Sequence, residues 1–282
     1  MFPLIGIAAA FAVCSFLLWL GYRSVDAGIK EEPQDVVATG DSIIGKERSD
    51  GTVEEYFEKY SGLTMVNGAF GGNCASVGEN AGRYSYQSES ITLPELAKAI
   101  CCRDFSVQRA DLAMSQTKIE YFDDSLKNLS EVDFNQTKVL MLAFGTNDYL
   151  SGKKTDDPAD PYNVETYGGA LRYGIELLEK TYPDLEIVLV TPLFCHISGW
   201  ENCLEQSFYG GETLDKYVET EKKVAEQYGV YVIDVFYESG IDESNFEEYM
   251  EEGGLHLNRE GREKYARFLA QKTTELLKEK NE

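Results

Sequence analysis

Positive charge is scarce in this chain of 282 residues: 26 Lys and Arg stand against 49 Asp and Glu, a formal net charge of −23. Such a surface repels phosphate backbones and anionic headgroups, which argues against a nucleic-acid partner. The acidity serves first to keep the protein soluble. Histidine is rarer still: His196 and His256 are the only two, too far apart in sequence to suggest a metal site. No Cys-x-x-Cys pair occurs among the six cysteines, which excludes the usual structural zinc framework. Also absent are the Gly-x-Gly-x-x-Gly dinucleotide turn, a Walker Lys-Ser/Thr and a Gly-x-Ser-x-Gly elbow. No internal repeat or low-complexity tract is present.

What is there is a packed globule behind an unusual start. Hydrophobic residues make up 43% and aromatics 12% of the chain, too much for a disordered polymer. Residues 2–20 form an almost unbroken apolar run without a charge, long enough as a helix to span roughly 30 Å of hydrocarbon. Residues 1–27 therefore read as a signal anchor or a signal peptide, with small residues at Val25-Asp26-Ala27 for a peptidase. Arg23 and Lys30 follow the run, and taken alone they would keep the domain cytoplasmic. An apolar segment ahead of one soluble domain points instead to export. The expectation is a membrane-anchored or secreted protein, extracytoplasmic, touching the membrane through this segment only. Cys14 follows Val13, which does not suit a lipoprotein signal.

Residues 28–34 look like a short tether, leaving about 250 residues for one α/β domain at 35–282. Short apolar runs at 35–39, 63–66, 138–144, 187–190 and 230–235 read as buried strands. Helices are expected between them. One begins at the Thr52…Glu55 capping box and stops at Gly62. Others follow from Val164, from 213 to 228 and from about Arg259. The alternation implies a parallel sheet between two helical layers. Residues 73–136 are long for a simple crossover and read as an inserted helical flank, with helices at 93–100 and 119–129. Cys195 and Cys203 bracket a short loop. They are either a disulfide, if the domain is exported, or free thiols.

Chemistry-bearing residues stand just after the strands. Gly40-Asp41-Ser42 follows the first, Asn67 to Gly72 the second and Gly145-Thr146-Asn147-Asp148 the third; His256 and Asn258 precede the last helix. In a doubly wound sheet these positions share one edge. A serine there can act as nucleophile if a histidine takes its proton, and the oxyanion that forms needs aimed donors. The Ser42 and Gly72 amides and the Asn147 side chain are candidates.

By these four blocks, in this order, the chain resembles the SGNH (GDSL-type) hydrolases. The resemblance spans residue 36 to the C-terminus apart from the flank. It implies a flavodoxin-like three-layer αβα sandwich on five parallel strands, esterase or lipase-type activity and no cofactor. Ser42 would be the nucleophile, His256 the base, and Ser42, Gly72 and Asn147 the oxyanion hole. One departure is informative. The family's last block carries an orienting aspartate three residues before the histidine, and here that position is Gly253. Glu252 could substitute, as could Glu251, or a backbone carbonyl could orient the ring. Leu257 also replaces a proline common in the family.

Residues 194–211 resemble a lid or substrate-binding loop, with Trp200 and His196 as candidate substrate contacts; His196 also reads as a loop histidine bonded to backbone. The expected function is ester hydrolysis through an acyl-enzyme on Ser42, the substrate a small-molecule or glycan ester and the acyl group small, such as acetyl. Lipid esters and acyl transfer to a sugar stay open. So does a non-catalytic domain binding glycan or a protein partner, because of Gly253. The sequence leaves the oligomeric state open.

Overall fold

The computed structural model describes residues 33–78, 89–115 and 119–280. The expected signal segment, 1–27, lies outside the described residues, as does most of the tether. Among the described residues, no helix is long and apolar enough to cross a membrane.

Five strands, β1 (Val36–Gly40), β2 (Met65–Asn67), β3 (Val139–Ala143), β4 (Glu186–Val190) and β5 (Tyr231–Ile233), form a single sheet in the order β2-β1-β3-β4-β5. Every pairing is parallel. This is the doubly wound order whose reversal point lies between β1 and β3. The register sets Val36 against Val139 and Gly40 against Ala143, so the two central strands end together.

Side chains alternate across the sheet, and each face has its own core. Val36, Ala38, Val139, Met141, Val188 and Val190 pack with Val53, Phe57, Tyr265 and Leu269. These come from helices α2 (Val53–Ser61) and α11 (Arg259–Glu279). On the other face Val37, Leu140, Leu142, Ile187 and Leu189 meet Leu96, Leu126, Leu171 and Val218. Those belong to α3 (Leu93–Cys102), α5 (Tyr121–Ser130), α7 (Tyr167–Thr181) and α8 (Leu214–Tyr228). Three layers result, because strands apolar on both faces need helices on both.

The capping box forms as its residues dictate. Thr52 accepts from the Glu55 amide at 3.0 Å, the Glu55 carboxylate returns to the Thr52 amide, and the helix ends at Gly62 in the left-handed conformation. The structure adds helices that no periodicity announced. These are α4 (Ser106–Met114) and four pieces of one turn or little more: α1 (Ser42–Gly45), α6 (Thr146–Leu150), α9 (Val235–Glu238) and α10 (Phe246–Tyr249). Such pieces are too short to show a repeat of 3.6. Two of them carry the candidate site.

Candidate active site

The strand ends of β1 and β3 define where Ser42 sits. A Cβ on Gly40 would stand 1.9 Å from the Ala143 carbonyl oxygen, so only glycine lets the chain pass there. The Asp41 amide donates to that oxygen at 3.1 Å. The Asp41 carboxylate then caps α1 by accepting from the Ile43 amide at 2.9 Å, which presents Ser42 as the first residue of the turn. Asp41 is buried, and burial pushes its carboxyl up to about 7.

The β2 end is fixed by Arg48 and Asn67. Arg48 donates to the carbonyls of Gly45, Asn67 and Ala69 and to Ser125 Oγ, while Asn67 Nδ2 donates to the Ile44 carbonyl at 2.9 Å. Beyond β3, the buried Asp148 accepts from the amides of Ala75 and Ser76 at 2.8 and 3.0 Å and from Ser76 Oγ. That carboxylate ties the glycine-rich loop carrying Gly72 to α6, which carries Asn147.

His256 arrives on a small hairpin. Met250 and Leu257 form an antiparallel bridge, and the Glu251 amide donates to the His256 carbonyl at 2.8 Å. Asn258 closes the hairpin by donating to the Glu248 and Met250 carbonyls and caps α11 by accepting from the Gly261 amide. The ring of His256 sets Nε2 2.9 Å from Ser42 Oγ, the spacing at which a serine hydroxyl donates to a neutral imidazole. Burial and the Lys46 ammonium lower its affinity for a proton to a pKa of about 4, and Glu251 opposes them.

Ser42, Gly72, Asn147 and His256 line one cavity of about 730 Å³. Ile119, Tyr121, Leu150, Ile197 and Leu255 form its apolar walls, and Trp200, Phe208 and Tyr209 its mouth. Trp200 is 54% and Tyr209 63% exposed. Tyr209 holds a left-handed φ of 48°, a conformation that costs a non-glycine residue about 1–2 kcal/mol and recurs where loops bind ligands.

Two sequence candidates lie elsewhere. His196 does not line the cavity: Nε2 bonds the Trp200 carbonyl at 3.1 Å, the ring packs 5.0 Å from Phe246, and its amide donates to the Gly254 carbonyl. It props the His256 hairpin. The Glu252 side chain is solvent-exposed, and its backbone carbonyl accepts from Ser198 Oγ at 2.8 Å. Glu251, not Glu252, bears on His256, and its carboxylate is ion-paired with Lys46. Lys46, Arg48 and Tyr121 were not legible as site residues; only tertiary packing brings them there. Cys195 and Cys203 are buried free thiols, the Cys195 amide donating to Cys203 Sγ at 3.4 Å. Among the described residues, no group of three or more His, Cys, Asp or Glu side chains is placed to hold a metal ion.

The geometry has counterparts in known proteins. The chain is similar in fold to a possible lipase from Chitinophaga pinensis, with a TM-score of 0.54 at 17% identity over 86% of this chain and 98% of that one. A protein from Lactobacillus plantarum matches with a TM-score of 0.56 at 15% identity, covering 84% and 95%. A carbohydrate acetylesterase from Sinorhizobium meliloti matches with a TM-score of 0.50 at 13% identity, covering 86% and 99%. At such identities the likeness is one of fold. Among curated protein sequences none matches the chain. The profile of the GDSL-like lipase/acylhydrolase family matches residues 38–264, a span that holds all four blocks; the chain belongs to that family and is a hydrolase of the SGNH type.

Proposed function

We propose that the chain is a serine esterase that works through an acyl-enzyme on Ser42, and that it removes a small acyl group, such as acetyl, from a glycan. The observation that carries the catalytic part is the 2.9 Å contact between Ser42 Oγ and His256 Nε2 inside the cavity. In this reading the Ser42 proton passes to Nε2 as Oγ bonds to the acyl carbon. The Ser42 and Gly72 amides and the Asn147 side chain stabilise the oxyanion. His256 returns the proton to the departing alcohol, and water then repeats the cycle to free the acid. A non-catalytic binding role has no observation in its favour.

The acetyl-glycan part rests on size and shape. A cavity of about 730 Å³ far exceeds an acetyl group, so most of it would hold the alcohol. Exposed Trp200 and Tyr209 at its mouth offer flat faces to a sugar ring. That one fold neighbour is a carbohydrate acetylesterase agrees with the choice. An extracytoplasmic, membrane-anchored or secreted location belongs to the same proposal and rests on the apolar run at 2–20.

The test compares acetate release from acetylated polysaccharides with cleavage of p-nitrophenyl octanoate, each against Ser42→Ala. Acetate release that Ser42→Ala abolishes is expected. Brisk octanoate turnover with no acetate released would overturn the glycan part alone.

A further inference from the structure

The family's orienting aspartate is replaced by Gly253, and among the described residues no carboxylate hydrogen-bonds the His256 ring. A carboxylate is nevertheless close. The Met250–Leu257 bridge and the Glu251-to-His256 backbone bond set Glu251 directly opposite His256 across the hairpin. Side chains of directly opposed residues leave the same face and stand side by side. Lys46 is ion-paired with the Glu251 carboxylate. Lys46 is the C-cap of α1, and its amide donates to the Ser42 carbonyl at 3.0 Å. The ion pair therefore joins the turn bearing Ser42 to the hairpin bearing His256, alongside the Ser42–His256 contact itself.

Both partners are about half exposed, 45% for the Lys46 side chain and 40% for Glu251, so the pair adds little to stability. Its charges face a more buried imidazole and matter more there. Among the described residues, Glu251 from the hairpin and Lys46 from α1 are the charged groups that act on His256, with neutral Ser42 in contact.

We propose that Glu251, held by Lys46, is the positioning residue for His256 in place of the family's aspartate, and that the pair sets how readily the imidazole takes the Ser42 proton. The proposal rests on the esterase reading above. When Ser42 Oγ bonds to the acyl carbon, its proton moves to Nε2 and the ring becomes a cation. The Glu251 carboxylate favours that cation, and the Lys46 ammonium restrains it.

Histidine NMR on the full chain tests this without turnover, since there are only two histidines and His256→Ala identifies the signal. Lys46→Met should raise the His256 midpoint, and Glu251→Gln should lower it, each by about half a pH unit or more. The acid limb of kcat/KM for a neutral ester should move with the midpoint. Glu251→Gln should also cut kcat about tenfold with KM nearly unchanged. Glu251→Asp should recover part of the loss, and Glu252→Gln should change neither quantity. Unmoved midpoints in Lys46→Met and Glu251→Gln would overturn the proposal, as would a kcat loss with no midpoint shift. Should Glu251→Gln fail to fold, the half-exposed Lys46→Met still decides by its midpoint. Turnover that survives Ser42→Ala would instead sink the esterase reading, while the NMR midpoints still report on the pair.

Discussion

A serine is an ordinary alcohol until a base is placed on its hydroxyl, and one cap and one hairpin do the placing here. Asp41 caps the turn that presents Ser42, and the hairpin brings His256 within 2.9 Å. Burial disfavours the imidazolium, so His256 is neutral down to a pKa of about 4. A base works only when unprotonated, so kcat/KM for a neutral ester should hold its plateau through pH 6. Below that it should fall, with a midpoint about 4 on the acid side. A pH–rate profile checks this, and an acid limb at the ordinary imidazole value of about 6.5 would contradict it. At this scale the sequence was informative where chemistry follows a strand directly, as with Ser42 and Asn147, or stands just before the last helix, as with His256. It left Glu251 as one of several candidate orienters and was silent on Lys46, because that pair forms only when segments some 200 residues apart meet, as Lys46 and Glu251 do.

The elements around His256 are fitted backbone to backbone. Gly254 has φ +69°, and a Cβ there would stand 1.9 Å from the His196 carbonyl oxygen. The loop after β4 returns hydrogen bonds to the hairpin through the amides of His196 and Ser198. Gly254→Ala should therefore push the hairpin away from that loop and move His256 off Ser42. It should cost on the order of 1–3 kcal/mol in stability and lower kcat far more than the stability loss explains. Thr52→Ala provides the contrast: it removes the cap of α2 for about 1 kcal/mol and should leave kcat unchanged. Thermal melts and kinetics on both variants check this, and equal kcat in the two would contradict it. The Thr52…Glu55 cap was readable because it is written within four residues. The loop after β4 carries no periodicity, so its grip on the hairpin was not.

Across the whole molecule, a parallel sheet with cores on both faces leaves little room for charge, yet α8 buries Glu221 completely. One of its oxygens meets the Tyr167 hydroxyl at 2.6 Å, and the other has no hydrogen-bond partner among the described residues. Burial holds this carboxyl well above the ordinary range. A neutral Glu221 can donate to Tyr167, whose hydroxyl then donates to the Phe144 carbonyl just beyond β3. The folded state thus binds this proton more tightly than the unfolded chain. The stability it contributes is full below the ordinary carboxylate range and is lost as pH rises through the folded-state value. Wild type should lose melting temperature more steeply than Glu221→Gln as pH rises above the ordinary carboxylate range. Parallel slopes would contradict this. The parallel sheet was legible from the alternation of apolar runs with amphipathic helices. A buried acid on a helix rich in charged residues was not, because Glu221 looks like its solvated neighbours until α7 packs against it. The central claim, that Ser42 is the nucleophile of an esterase, is tested most directly by p-nitrophenyl acetate hydrolysis with the full chain beside Ser42→Ala. Turnover by the wild type that falls to background in Ser42→Ala is the predicted result. Equal rates in the two proteins, or no turnover by the wild type across acetate, butyrate and octanoate esters, would contradict it.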